Sequence, residues 1–291
     1  MKWLGIALGG VLVLILLAFI VSYVAVRRVL DKEHDVPSHS IAVPTDSALI
    51  AEGERLANFR GCYGACHGAE AEGEVMIDAP FIARVVAPSL SHLAREYTTA
   101  EFERAVRHGV KGDGTSVLIM PSSTFQHLSD DDLGATIAFL RSLPADDGPL
   151  TEVKPRLVGY FLFAFGLFQG FRAPAEEIDH AAPHTAANPT DTLALGRYLA
   201  MSVCSLCHGS DLQGGEGETG PTPSLSIVAA YTLDGFTQVL REGIGLGGRE
   251  LDEMLEASEG FKHFTDHEIA ALHAYLSTLA RQEPVDAGTS E

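Results

Sequence analysis

All four cysteines of the chain fall in two short stretches, "RGCYGACHGAE" and "SVCSLCHGSDL", and in each the second cysteine is followed by His-Gly. In the second stretch Cys204, Cys207 and His208 form C-x-x-C-H, a spacing that serves covalent haem attachment. The reason is geometric. Two thiols add to the two vinyl groups on one haem edge, and the imidazole of the next residue reaches the iron from the same side. Other chemistries fit less well. A structural zinc site wants a second ligand pair, and a thioredoxin-like motif wants a neighbouring strand-helix-strand pattern. Disulfides outside the cytoplasm would leave His67 and His208 without a role. The first stretch, with Cys62, Cys66 and His67, has three spacer residues instead of two. Cys66-His67-Gly68 keeps the relation between the second thioether and the iron ligand. The additional residue therefore has to bulge between the two sulfurs, and Gly64 can take the backbone angles that ease this. Two thioethers are expected here as well, against attachment through Cys66 alone.

An iron held by histidine on one face needs a ligand on the other, and methionine there suits an electron-transfer haem and raises its potential. Met120 and Met254 are the candidates, each well downstream of its Cys-His pair. The competing reading is a methionine that fills a core gap. Met254 lacks a proline like the one in Met120-Pro121 and sits in "LDEMLEASEG", a helix-friendly acidic stretch. Met76 and Met201 read as core or loop residues. His127 and His263 are the fallback ligands; His92, His108, His267 and His273 are expected on surfaces or helix faces.

The elements that must position these groups occur twice. "GERLANFRGCYGACHGAEAEGE" from Gly53 is answered by "GRYLAMSVCSLCHGSDLQGGEGE" from Gly196. "APSLSHLAREYTTAEFERAVRHGV" is answered by "TPSLSIVAAYTLDGFTQVLREGI", and "FQHLSDDDLGATIAFLRSL" by "FKHFTDHEIAALHAYLSTL". Tyr97/Tyr231, Arg107/Arg241, Gly109/Gly243 and Met120/Met254 share an offset of 134. A period of this length means two similar domains rather than a solenoid. In each copy a short helix precedes the cysteines. A second helix starts at the capping box Thr98-x-x-Glu101 and stops near Gly109; Gly235 replaces the glutamate in the second copy. The last helix starts at Ser129 or at the capping box Thr265-x-x-Glu268. Its apolar face is Leu133, Ile137 and Leu140, or Ile269, Leu272, Leu276 and Leu279. Pro144 ends the first copy. Neither copy shows a run of alternating strand residues.

With these residues in view, the repeat resembles the class I cytochrome c family, most closely the membrane-anchored dihaem cytochromes c of bacterial respiratory chains. The resemblance rests on Cys-His-Gly at 66–68 and 207–209, "PSL" from Pro88 and Pro223, "RHGV" and "REGI", Met120-Pro121, and "LSDDDLGATIAFLRSLP"; it covers about 46–144 and 191–280. It implies an all-α fold of two tandem class I cytochrome c domains after one N-terminal transmembrane helix. First and last helices would cross near Gly53 or Gly196, against Phe139 or Tyr275. The carbonyls of Pro88 and Pro223 would accept the axial histidines' N–H, and Met120 and Met254 would occupy the family's sixth-ligand position. The implied cofactors are two covalently bound haem c groups.

Trp3 to Val26 carry no charge. At the helical rise they reach about 36 Å, enough for a hydrocarbon core of about 30 Å. Arg27 and Arg28 follow in place of a small-residue cleavage site, so an uncleaved anchor is expected. The expected organisation is 1–30 anchor, 31–45 linker, 46–146 first domain, 147–190 inter-domain linker, 191–283 second domain and 284–291 tail. The apolar run 155–171 is short for a span. It is expected to pack along the domain interface, or to dip into the membrane surface; His180 and His184 are expected to be solvated. Basic residues flank the anchor on both sides, so charge does not orient it. The resemblance does: haem loading in the family occurs outside the bacterial cytoplasm. That places both domains on the periplasmic or exterior side of the inner membrane. The net charge of −19 disfavours nucleic acid. The expected role is a non-enzymatic carrier of single electrons between redox protein partners. Alternatives are a subunit of a larger respiratory complex (a dehydrogenase, quinol-oxidising complex or haem-copper oxidase), a dihaem peroxidase with one displaceable sixth ligand, and a haem-based sensor.

Overall fold

Twenty-nine consecutive residues at the N-terminus form one helix whose apolar side chains are almost all exposed, in a computed structural model that describes residues 2–167, 173–181, 190–216 and 220–281. Phe168–Phe171 of the apolar run, His184 and the expected tail lie outside the described residues. The elements are α1 (Lys2–Leu30), α2 (Ser47–Phe59), β1 (Glu74–Ala79), β2 (Ala83–Ala87), α3 (Leu90–Glu96), α4 (Thr99–His108), α5 (Ser122–Phe125), α6 (Asp130–Ser142), β3 (Glu152–Pro155) and α7 (Leu157–Ala164). They continue with α8 (Thr192–Leu199), α9 (Ser205–His208), β4 (Gly215–Glu216), β5 (Pro221–Thr222), α10 (Leu233–Glu242), α11 (Asp252–Phe261) and α12 (Asp266–Leu279). The fold is mostly helical, with two small sheets among the described residues. Contacts group the chain into two compact units. One comprises Met1–Ser40, Tyr63–Ser122 and Leu140–His180; the other comprises Ile41–Cys62, Ser123–Phe139 and Ala181–Glu291.

In the first unit, α4 begins at the full Thr98–Glu101 capping box and ends at Gly109 in the left-handed region. The antiparallel sheet β1-β2-β3 was not legible as strands. Its central strand, "ARVVA", is buried apart from the half-buried Arg84, so apolar and polar residues do not alternate along it. A bulge between Val75 and Ile77 breaks the period of two in β1. Val26 of α1, Ala83 and Val85 of β2 and Phe163 of α7 form one apolar cluster. The apolar run thus has a partner the sequence did not suggest. Tyr160 of α7 meets Phe19 and Tyr23 of α1 with ring centroids 5.9 and 5.0 Å apart. His180, expected to be solvated, instead places Nδ1 3.0 Å from Nδ1 of buried His108 and Nε2 2.9 Å from the Ala175 carbonyl oxygen.

In the second unit, α12 starts at the complete Thr265–Glu268 capping box, and α8 starts at Asp191, whose carboxylate accepts from the amides of Leu193 and Ala194. Helices α8 and α12 cross at Gly196, where a Cβ would lie 2.0 Å from the Ala271 carbonyl oxygen and 2.7 Å from Tyr275 Cβ. The corresponding crossing of α2 and α6 puts a Cβ on Gly53 2.0 Å from the Ala135 carbonyl oxygen and 3.1 Å from Phe139 Cβ. Both crossings match those the resemblance implies. Leu56, Phe59 and Ala135 share one core with Leu195, Leu199, Phe236, Ile269 and Leu276. Phe59 stacks on Phe264 at 4.6 Å between centroids, and Arg55 forms a forked pair with Glu268 at 2.8 and 2.9 Å. Buried Arg60 donates to Asp132 Oδ2 at 2.7 Å and to the Tyr198 hydroxyl at 3.2 Å; that hydroxyl donates to Asp132 at 2.6 Å. Burial, with the Asp132 charge, pushes the Tyr198 hydroxyl up to about 12, so it stays a donor at neutral pH. The first and last helices of the first repeat therefore join the second repeat's core. The contact units interleave along the chain where the repeat reads sequentially.

Candidate functional site

The second Cys-His motif is built on continuous helix. A π turn over Ala200–Cys204 leads into α9, so Cys204 lies one helical turn before the adjacent Cys207 and His208. Gly209, at φ +81°, turns the chain out of the helix, and a Cβ there would sit 2.6 Å from the Gly214 carbonyl oxygen. The Gly214 amide donates to the His208 carbonyl at 2.9 Å, and Thr222 Oγ1 donates to the Cys207 carbonyl at 2.6 Å. His208 Nδ1 lies 2.9 Å from the Pro223 carbonyl oxygen. A carbonyl only accepts, so Nδ1 carries the proton and Nε2 keeps the lone pair a metal needs.

The first motif reaches the same arrangement by a different local path. Helix α2 stops at Phe59, and the segment to Gly68 is a series of turns. Gly64 sits at φ +78°, its amide donates to the Gly68 carbonyl at 3.2 Å, and the Gly68 amide donates to Ala65 at 3.0 Å. The longer spacer is thus taken up in a glycine turn where the second copy runs helically. Gly68 then leaves at φ +88°, the Gly73 amide donates to the His67 carbonyl at 2.8 Å, and His67 Nδ1 lies 2.8 Å from the Pro88 carbonyl oxygen.

Two residues that sequence reasoning missed complete the turn after each histidine. Ala71 and Leu212, each four residues past its histidine, are buried at φ +62°. Their carbonyls accept the amides of Leu90 and Leu225 at 2.8 and 2.9 Å, tying the histidine loop to the Pro-Ser-Leu segment. Nothing in the letters Ala and Leu signals a left-handed backbone; the only clue is that the two positions correspond in the repeat.

The electrostatics suit neutral nitrogen and sulfur donors. Burial pushes His67 and His208 below the usual imidazole range, with the carbonyl bonds pulling the other way. Burial pushes the Cys66 thiol up, and it pushes Cys204 up to about 12 with the nearby Cys207 adding to it. None of the four cysteines is disulfide-bonded. Met120 lies half-buried in the turn before α5, its carbonyl accepting from the Ser122 amide at 2.8 Å. Met254 is half-buried against the second unit's core, but it sits in the first turn of α11 and not in a loop. Asp252 and Glu253 in that turn complement the helix dipole, which is why "LDEMLEASEG" folds as helix. Met76 is on exposed β1, and Met201 packs on the second unit's core. Oriented imidazoles with a bare Nε2 and unbridged thiols one residue before them are the donor set of a covalently attached haem, and the residues fit that group.

The cytochrome c family profile matches residues 50–144 and 193–280. The fructose dehydrogenase cytochrome subunit of Gluconobacter japonicus is 24% identical over 261 residues, covering 79% of this chain and 52% of that protein. The alcohol dehydrogenase (quinone) cytochrome c subunit of Gluconacetobacter polyoxogenes is 33% identical over 173 residues, 56% of this chain and 36% of that one. The gluconate 2-dehydrogenase cytochrome c subunit of Pantoea cypripedii is 27% identical over 281 residues, 82% of this chain and 61% of that one. The chain thus spans about a third to three-fifths of these relatives' lengths. It belongs to the cytochrome c family, and membership carries covalently bound haem c. Its α1 is the one helix among the described residues that is long and apolar enough to cross a membrane.

Proposed function

We propose that the chain is a membrane-anchored dihaem subunit that takes single electrons from a dehydrogenase and passes them toward the respiratory chain. The observation that carries the dihaem reading is the duplicated hydrogen bond from histidine Nδ1 to a proline carbonyl, at 2.8 and 2.9 Å, directly after a cysteine in each repeat. The dehydrogenase partner is supported by the relatives, whose names place them in fructose, alcohol and gluconate dehydrogenases. Haem c, when bound, supplies a one-electron iron couple. Cys62 and Cys66, and Cys204 and Cys207, would tether it through sulfur; His67 and His208 would ligate through Nε2. The Pro88 and Pro223 carbonyls fix the ring orientation and tautomer of each histidine and would raise the basicity of its Nε2. Met120 and Met254 would close the opposite face and leave no position for a substrate. The haem-bearing parts lie on the periplasmic side of the inner membrane, with the N-terminus in the cytoplasm.

A tagged chain, solubilised from native membranes in mild detergent, is expected to bring down a dehydrogenase. It should carry two haems c per polypeptide by pyridine-haemochrome absorbance. A colourless chain overturns the haem assignment; a haem-loaded chain that purifies alone overturns the complex. Met120→Ala is expected to remove about half of the methionine–iron charge-transfer absorbance of the oxidised protein; an unchanged band excludes Met120. Mass spectrometry of the peptide spanning 61–68 is expected to show haem joined through both sulfurs. Alkylation of Cys62 in the loaded protein would exclude its thioether.

A further inference from the structure

We infer that α7, together with the β1–β2 turn, is a second membrane-embedded element that sinks into the leaflet at the Arg27 end of α1. The inference rests on the reading of α1 as a span. The uncharged stretch of α1 ends at Arg27 and Arg28, which mark the headgroup level. At the helical rise, Tyr23 lies about 6 Å and Phe19 about 12 Å below Arg27 along the axis. These are the residues that α7 touches: Tyr160 packs on both rings, and Phe161 lies 5.9 Å from Phe19. A helix in contact with α1 at that depth is below the headgroups.

The exposed surface of this element is what such a position requires. Phe81, Leu157, Phe165 and Leu167 are 68, 61, 70 and 72% exposed, and Leu157–Leu167 contains no charged residue. Phe81 is joined to α7 by backbone: its carbonyl accepts the Val158 amide at 2.8 Å, and the Arg156 amide donates to Ile82 at 2.8 Å. Gly159 permits the approach, since a Cβ there would lie 1.8 Å from the Ile82 carbonyl oxygen. The backbone at the far end closes on itself, with the Phe165, Gly166 and Leu167 amides donating to Phe161, Phe163 and Leu162 at 3.1, 3.1 and 2.8 Å. Internal pairing of this kind lets a non-spanning segment enter hydrocarbon. Charge stops at the upper edge, where Arg156 and Arg84 both pair with Asp78, at 2.8 and 2.7 Å. A polar collar above an apolar tip, continuous with a spanning helix, fits acyl chains.

The test reconstitutes the full chain in phosphatidylcholine–phosphatidylglycerol vesicles that carry a phospholipid with a photoactivated diazirine in its acyl chain. Adducts are then mapped by peptide mass spectrometry. Adducts on α1, on 157–167 and on the peptide holding Phe81 are the expected result. Adducts confined to α1 overturn the inference and assign the exposed face to water or another subunit. Adducts on neither overturn the span itself. Phe165→Asp is expected to reduce labelling of 157–167 at least several-fold while labelling of α1 persists; unchanged labelling of 157–167 overturns the inference.

Discussion

Gly196→Val is expected to lower the Tm of the second unit by about 10 °C or more, read as loss of helical circular dichroism. At Gly196 a Cβ would sit 2.0 Å from a backbone oxygen of α12 and 2.7 Å from Tyr275 Cβ. A side chain can rotate away, but the Ala271 carbonyl is fixed by its own helix, so relief requires α8 and α12 to separate. That separation opens the core around Leu195, Leu199, Ile269, Leu272 and Leu276, all of which are buried. Overpacking a fitted core costs about 1–3 kcal/mol where side chains can adjust, and more where backbone must move. About 3 kcal/mol or more corresponds to the stated fall. Gly235→Ala, in α10, is the control: its new methyl would meet Thr232 Oγ1 at 3.3 Å and no backbone atom closer than 4 Å in the surrounding fold, so a change of only a degree or two is expected. If the two variants melt alike, the close crossing does not hold the second unit together.

The parts of the fold that sequence displayed are those set by local chemistry. Thr98 with Glu101 and Thr265 with Glu268 announce helix starts because the side chains and amides that pair are three residues apart. Gly64 is a local signal too, since its positive φ takes up the third spacer residue between Cys62 and Cys66. Non-local features left weaker marks. Strand β2 is recognisable only once both of its faces are known to be covered, and α7 reads as an ambiguous apolar run until Phe19 and Tyr23 are found beside it. Met254 is a case where local and repeat-level signals conflict. Its repeat position implies a loop, its acidic neighbours favour helix, and the helix prevails. The histidine sites were legible because Cys-His-Gly is contiguous, whereas Ala71 and Leu212 were not, since their left-handed backbone is imposed by the turn they close.

The interleaving of the units has its own physical cause. Each repeat's first and last helices bury one another at a glycine crossing, but α2 also presents Arg55 and Phe59, and its C-cap residue Arg60, to the second repeat. A buried guanidinium is costly unless every neighbour answers it. Arg60 Nη2 pairs with Asp132 of its own repeat at 2.7 Å and also donates to the Tyr198 hydroxyl of the second repeat at 3.2 Å, so the second repeat adds an acceptor to a guanidinium whose Nε and Nη1 have no hydrogen-bond partner among the described residues. Phe59 on Phe264 and Arg55 on Glu268 add apolar area and a second ionic link to the same junction. A sequence read one repeat at a time assigns all of these to separate surfaces.

The Cys204→Ser, Cys207→Ser double variant is expected to reduce covalent haem from two groups per chain to one. Thioether formation adds a sulfur–hydrogen bond across a vinyl group, and a serine hydroxyl does not replace it, so no covalent link at the second motif survives. His208 would remain in place, because its ring is held by the Pro223 carbonyl and its loop by the Gly214 amide, neither of which involves sulfur. Any haem still recruited there would be held by coordination alone and would leave in acidified organic solvent. The haem attached through Cys66 would stay with the polypeptide, so intact mass falls by one haem and the pyridine-haemochrome yield halves. The matching variant of Cys62 and Cys66 should give the same stoichiometry, with the Met120-dependent absorbance lost. Should either double variant retain two covalent haems, the attachment residues are misassigned. Should both variants lose all haem, the motifs do not load independently, and the duplicated geometry is one site made of two halves.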